Sequence, residues 1–224
     1  MIQKNNTMSK KVELEKVIVS QNKFYLFTKR VIDCVGSIIG MIIFLPLALV
    51  IALTIKFEDG GSIIFKQKRV GYNGSFFYIY KFRSMCDDAE LLKLEMLAKN
   101  DVEGAMFKIK DDPRITRCGK FIRRHSLDEL PQLLNVLKGD MSLVGPRPPL
   151  VDEVVEYTSY EKQRLLVRPG LSGLWQISGR NNLSFSEMVE LDLKYIQTRN
   201  TYIDIVIILK TIISMISIKK NGAF

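Results

Sequence analysis

The sequence predicts an α+β fold, helix-rich with a small β-hairpin, entered through a proline-broken, re-entrant membrane helix and ending in amphipathic helices at the membrane interface. Three observations predict it. Residues 34–55 form an uncharged run of 22 residues with Pro46 near its middle. Two β-rich runs flank Asn73-Gly74. Downstream, short apolar-periodic segments alternate with Pro- and Gly-bearing turns, the pattern of short helices joined by fixed loops.

Taken in order, residues 1–28 read as a polar, lysine-rich leader without the apolar core or small-residue cleavage site of a secretory signal. The uncharged run, as a helix, would reach about 33 Å, enough to cross the hydrocarbon core. Pro46 lacks the N–H that an unbroken helix needs there. Lys29 and Arg30 precede the run while Lys56, Lys66, Lys68 and Arg69 follow it, so positive charge marks both ends as cytoplasmic. A helix over 29–57 that enters, bends at Pro46 and leaves on the same side satisfies both features. A straight span with a tolerated proline stays open, since membrane helices accommodate proline.

Residues 62–70 and 75–82 read as strands of a hairpin turning at Asn73-Gly74. The basic aromatic run Phe76, Tyr78, Tyr80, Lys81, Arg83 suits a strand packed on one face beside a membrane, or a stacking platform for nucleic acid. Residues 87–99 carry leucines at helical spacing, and 100–112 read as loop up to Pro113. Arg114, Arg117, Lys120, Arg123 and Arg124 follow along one predicted helical side, which is either an anion-binding face or a solvated one. Near the end, residues 202–218 are apolar but interrupted by Asp204 and Lys210, which fits an interfacial amphipathic helix or a buried core helix.

Composition narrows the chemistry. A net charge of +9 over 224 residues calls for an anionic partner: nucleic acid, acidic lipid or a phosphorylated substrate. Three scattered cysteines lack metal or redox spacing, and the single histidine excludes a His-rich metal site and argues against a Ser-His or Cys-His nucleophile. Acid–base or nucleophilic work then falls to carboxylates. The stretch Arg123-Arg-His-Ser-Leu-Asp-Glu-Leu-Pro131 places Asp128 and Glu129 just after two arginines, at a predicted helix start with the Ser126/Glu129 spacing of a capping box. An outward, ionised Asp128 beside an arginine-neutralised phosphate can act as a nucleophile. Equally, Glu129 can serve as cap and Asp128 as dipole complement. Two further arginine-bearing turns, Gly145-Pro-Arg-Pro-Pro149 and Arg168-Pro-Gly170, are rigid enough to hold a ligand or to serve only the fold.

Together these segments resemble the bacterial sugar transferases, monotopic phosphoglycosyl transferases that act on polyprenyl carriers. The resemblance rests on Lys29-Arg-Val-Ile-Asp33, Tyr80-Lys-Phe-Arg-Ser-Met85, Asp112-Pro-Arg114, Ser126-Leu-Asp-Glu-Leu-Pro-Gln132, the run from Asn135 to Pro148, Arg168-Pro-Gly-Leu-Ser-Gly-Leu-Trp175 and Ser178-Gly-Arg180. It implies that Asp128 is the nucleophile and Glu129 its partner, the two holding Mg2+. It further implies that Arg114, Arg123, Pro146, Arg147, Arg168, Gly170 and Arg180 bind substrate. The implied reaction moves a sugar phosphate, glucose or galactose being the expected sugar, from a UDP-sugar to undecaprenyl phosphate with release of UMP. An aspartyl-phosphosugar is the implied intermediate, and the step is the first membrane step of exopolysaccharide, capsule or glycan synthesis. The implied partners are the donor, the polyprenyl phosphate and the lipid bilayer, with a homodimer compatible and no nucleic acid. The implied setting is the cytoplasmic face of the bacterial inner membrane, with residues 58–224 as the catalytic domain and no multi-span region ahead of it. Two departures stand out: His125 beside the dyad, and Arg199 where related chains frequently carry tryptophan.

Overall fold

The computed structural model describes residues 16–86, 88–89, 91–92, 109, 112–179 and 183–216. Most of the helix expected over 87–99, most of the loop at 100–112, Arg180 and the terminal Lys219 and Lys220 lie outside the described residues.

A single helix, α1 (Lys23–Asp59), opens the fold; its 37 residues make it about 55 Å long at 1.5 Å per residue. Asn22 caps its start through its side chain, which accepts from the Tyr25 N–H, and Gly60 closes its end in the left-handed conformation. Pro46 lies within it, and the helix continues through that position. Pro46 costs one i→i−4 bond without ending the helix. It is also the one helix long and apolar enough to cross a membrane among the described residues.

Both arms of α1 pack on the same body. Lys29, Arg30 and Asp33, read above as flanking charge and motif, are in fact ties to that body. The Arg30 guanidinium donates to the carbonyls of Val136 and Leu137 at 2.7 Å each. The Asp33 carboxylate accepts from the Leu143 N–H at 2.8 Å and the Ser142 hydroxyl at 3.0 Å. At the other end Ile51 and Ile55 join Phe82, Ile122 and Leu127 in one apolar cluster. Beyond them Glu58 accepts from the backbone N–H groups of Arg117 and Cys118, and Asp59 pairs with Arg83. Between the arms, Ile38, Ile39, Ile42, Ile43, Leu45 and Leu49 stand exposed.

The hairpin forms as the sequence predicts, β1 (Ile64–Val70) antiparallel to β2 (Phe76–Phe82), with Asn73 and Gly74 both at positive φ in the turn. Its register decides which basic residues share a face. Gln67 opposes Ile79 and Phe65 opposes Lys81, so Arg69 and Lys81 share one face while Lys66 and Lys68 oppose Tyr80 and Tyr78 on the other. The basic aromatic run is thus divided between two faces, and the aromatic one carries its own lysines, with Lys68 Nζ 4.3 Å from the Phe76 ring centre.

Helix α2 (Arg117–Arg124), capped by the Thr116 hydroxyl, leads to a 3-10 turn at Leu127–Gln132 and then to α3 (Leu133–Lys138). Asn135, fully buried, stitches α3 to the hairpin: its Oδ1 accepts from the Tyr80 N–H at 3.0 Å and its Nδ2 donates to the Tyr78 carbonyl at 2.7 Å. A pairing that sequence reasoning missed follows, β3 (Ser142–Val144) parallel to β4 (Gly170–Ser172). It carries the two proline turns together, the Gly170 N–H donating to the Pro146 carbonyl and the Gly145 N–H to the Ser172 carbonyl, each at 2.8 Å. The short helices α4 (Val151–Glu156) and α5 (Leu174–Ser178) flank that pair. The last two helices, α6 (Phe185–Thr198) and α7 (Thr201–Ile216), close a core of Val144, Val167, Val189, Leu193, Ile196 and Ile207. Val17 of the leader is buried in the same core. On α7, Asp204 turns inward while Tyr202, Ile205, Leu209, Ile212 and Ile213 stay exposed.

Candidate active site

Two adjoining cavities, of about 230 and 440 Å³, share one charged wall: Arg69, Lys81, Arg123, Arg147 and Asp128 line both. Each side chain arrives by its own route. The hairpin face delivers Arg69 and Lys81, the last turn of α2 delivers Arg123, the 3-10 turn delivers Asp128, and the loop after β3 delivers Arg147.

The dyad turn departs from its expected geometry. Ser126 sits in the left-handed region at φ 55°, and the turn that follows is 3-10, so no capping box forms. Glu129 reaches across to the hairpin instead, its carboxylate 2.9 Å from Lys81 Nζ, with Asp128 Oδ2 3.9 Å from the same nitrogen. Asp128 is not outward-facing either. Its residue is 8% exposed, lining the cavities from within. Burial, aided by the neighbouring Glu129 charge and opposed by Lys81 and Arg123, pushes its carboxyl up to about 6. A carboxylate poised there is at once a fair nucleophile and a fair leaving group near neutral pH. His125 lines neither cavity; its ring lies tilted against Phe121 with ring centres 4.6 Å apart, and its Nδ1 is 2.9 Å from the Phe121 carbonyl.

Of the cations expected along one helical side, Arg123 alone faces the dyad. Arg117, Lys120 and Arg124 are exposed, because positions 117, 120 and 124 share the solvent side of α2. Arg114 precedes the helix, clamped by Asp112 with Nη2 2.6 Å and Nε 2.8 Å from its carboxylate oxygens, and lines the larger cavity. Those bonds hold the Asp112 carboxyl below the usual range. Arg147 is held in bidentate fashion by the buried Glu153 at 2.9 and 3.2 Å. Burial pushes the Glu153 carboxyl up, but Arg147 and the Leu150 N–H outweigh it, and the group ends below the usual range.

Pro146 is fully buried and acts through its backbone carbonyl, and Gly170 lines the smaller cavity. A Cβ on Gly170 would lie 2.0 Å from the Gly145 nitrogen, so the close approach of the two turns requires glycine. Arg168, in contrast, lines a separate cavity with Lys29, Asp33, Tyr195 and Arg199, away from the dyad. Arg199 stacks over Tyr25 and donates to the Ser20 carbonyl, tying down the leader.

Sequence reasoning missed Arg69, Lys81, Gln132 and Trp175 as site residues. Arg69 is buried and donates to the Pro148 carbonyl at 3.0 Å, and burial and the Arg147 charge lower it to about 10. The signal for the two basic residues was the strand period: once the Asn73-Gly74 turn fixes the register, Arg69 and Lys81 fall on one face.

Comparison with known proteins gives the family. Residues 24–218 match the family model described as bacterial sugar transferase. A galactosyl transferase, CpsE, of Streptococcus agalactiae is 54% identical over 201 residues, covering 88% of this chain and 44% of that protein. An undecaprenyl-phosphate galactose phosphotransferase of Salmonella typhimurium is 44% identical over 202 residues, 88% of this chain and 42% of that protein. The exopolysaccharide production protein ExoY of Rhizobium meliloti is 43% identical over 188 residues, with 82% and 83% covered. The chain therefore spans less than half the length of the first two relatives and most of the third. With the family model matched along residues 24–218 and a relative 54% identical over 88% of it, the chain belongs to the bacterial sugar transferase family.

Proposed function

We propose that this protein is a phosphoglycosyl transferase that moves a sugar-1-phosphate from a UDP-sugar, galactose or glucose being the expected sugar, to undecaprenyl phosphate. One observation carries the reading: a buried carboxylate, Asp128, in a wall of four cations, Arg69, Lys81, Arg123 and Arg147. Phosphoryl transfer is mostly positioning and charge neutralisation, and a diphosphate is the ligand such a wall accepts. Asp128 Oδ attacks the β-phosphorus, the bond from that phosphorus to the bridging oxygen breaks, and UMP leaves. The polyprenyl phosphate oxygen then attacks the same phosphorus, freeing the carboxylate and yielding polyprenyl diphosphate-sugar. Arg123 and Arg147 hold phosphate oxygens, and Lys81 fixes Glu129 and keeps Asp128 charged.

The adjacent carboxylates also suit a divalent ion of the magnesium class. They already share one cation, Lys81, and among the described residues no third acidic, His or Cys ligand joins them. A magnesium ion there, held by Asp128 and Glu129, would take its remaining ligands from phosphate and water and would neutralise diphosphate charge.

Features of α1 and α7 support a membrane setting. Both arms of α1 tie to one body while its middle exposes apolar side chains, which supports a re-entrant anchor whose ends stay on the cytoplasmic side of the inner membrane. The exposed apolar stripe of α7 supports an interfacial helix beside it. A site held there meets a soluble donor and a lipid acceptor at one boundary, as the first membrane step of exopolysaccharide or capsule synthesis needs. The test is UMP release from UDP-galactose and UDP-glucose by protein in nanodiscs with undecaprenyl phosphate. Release by wild type and its loss in Asp128→Asn support the reading; undiminished release by D128N refutes Asp128 as nucleophile. Trapping of labelled sugar phosphate on the protein without acceptor supports the two-step route, and its absence favours direct attack by the lipid phosphate.

A further inference from the structure

The two cavities that meet at the charged wall differ in what they offer beyond it. In the smaller, Gln132 is 3% exposed and its Nε2 has no hydrogen-bond partner among the described residues. The half-buried Trp175, whose Nε1 also has no hydrogen-bond partner among the described residues, lines the same cavity beside the apolar Ile79 and Leu171. A buried donor left unpaired is costly, so such a pair calls for a ligand that brings acceptor oxygens. The mixture of an aromatic ring, two aliphatic side chains and unpartnered amide and indole N–H groups matches a sugar, which carries hydroxyls at its rim and C–H groups on its faces.

The dyad turn decides the orientation. Ser126, Asp128, Glu129 and Gln132 all line the smaller cavity, whereas Asp128 is the one residue of that turn on the larger. Attacking and leaving oxygens must lie roughly in line across the phosphorus, so the leaving nucleotide departs away from the turn that carries the nucleophile. That direction is the larger cavity, the roomier of the two at about 440 Å³.

We infer that the smaller cavity is the sugar chamber, in which Gln132 Nε2 and Trp175 Nε1 donate to the hydroxyls of the sugar on the β-phosphate, while the nucleoside occupies the larger cavity across the charged wall. This deepens the transferase reading and rests on it. Gln132 and Trp175 are then specificity-determining residues, and the Ser126–Gln132 turn serves two purposes, with the nucleophile and a sugar-reading amide four residues apart.

The experiment uses the full chain in nanodiscs and compares Gln132→Leu and Trp175→Phe with wild type. UMP release is measured with UDP-galactose, UDP-glucose and their N-acetylamino counterparts, and UDP, which lacks the sugar, is measured as a competitive inhibitor. Each variant is expected to lose about 10- to 100-fold in kcat/KM for the preferred sugar, with the order among the four sugars changed and the UDP inhibition constant within about twofold of wild type. A rise in the UDP inhibition constant by the same factor would overturn the assignment by placing the nucleotide in this chamber. An equal fall for all four sugars would overturn it too, because a displaced dyad turn slows every donor alike. Unchanged kinetics in both variants would show that neither donor touches the sugar. Wild type that releases UMP from none of the four refutes the transferase reading itself, and this assignment with it.

Discussion

Replacing Lys29 by Met should cut the tie that holds α1 to the body of the protein. Lys29 Nζ donates to the Val144 carbonyl at 2.9 Å, to Asp204 Oδ2 at 3.0 Å and to the Tyr195 hydroxyl at 3.1 Å. Its side chain is 11% exposed and that of Asp204 only 4%, so neither charge is screened by water. In Lys29→Met the carboxylate keeps the hydroxyls of Tyr25 and Tyr195 but loses its counter-charge. Stranding one partner of a buried pair costs about 3–5 kcal/mol. In a chain of this size each kcal/mol moves the midpoint by roughly 2–4 °C, so the unfolding temperature should fall by about 6–20 °C. The single tryptophan gives the readout, thermal unfolding followed by Trp175 fluorescence in detergent micelles. Adding Asp204→Asn removes the stranded charge, so the double variant should be more stable than K29M alone by roughly 1–3 kcal/mol. A drop under about 3 °C for K29M, or a double variant that simply adds the two losses, would refute the argument. Val144 ends the strand that leads to Arg147, so K29M should also raise KM for the donor.

Glu153 has a folded pKa below its ordinary value of 4.5, so its contribution to stability is complete above that value and is lost as pH falls through the depressed one. Midpoints measured between pH 6 and pH 3.5 should therefore fall more steeply for wild type than for Glu153→Gln, and parallel slopes would contradict the pairing with Arg147. Gly170→Ala should lose about 3 kcal/mol or more and abolish UMP release, because the new methyl meets the Gly145 backbone, which cannot yield as a side chain would. Thermal unfolding and the transferase assay check both, and a wild-type midpoint would exclude the close approach. Ser126 holds φ 55°, a conformation that costs non-glycine residues about 1–2 kcal/mol. Accordingly, Ser126→Gly should be neutral to slightly stabilising while Ser126→Val destabilises by roughly 1–3 kcal/mol. Equal midpoints for the two variants would remove backbone strain from the account of the dyad turn.

Local patterns were legible wherever the physics is local. The Asn73-Gly74 turn was, because positive φ at two successive positions selects those residues. The long apolar helix was also legible, and the helix runs through Pro46 without ending there. The Ser126/Glu129 spacing misled. It is a cap signal in isolation, but Lys81, 48 residues earlier in the chain, offers Glu129 a charge partner that a backbone N–H cannot match. Arg168 fell in a turn of the right composition yet lines another cavity, because a motif says which loop forms and not which way its side chain leaves.

The sequence by itself determined the ingredients: a basic charge balance, a single histidine, a hairpin, a long apolar helix and the adjacent Asp128–Glu129 pair. Tertiary structure decided how they meet. Hairpin register places Arg69 and Lys81 on one face, the parallel pairing of β3 and β4 joins the two proline turns, and burial raises Asp128 to about 6. Charge, propensity and turn chemistry act over a few residues and can be read along a chain, whereas desolvation and ion pairing depend on which distant segments exclude water together.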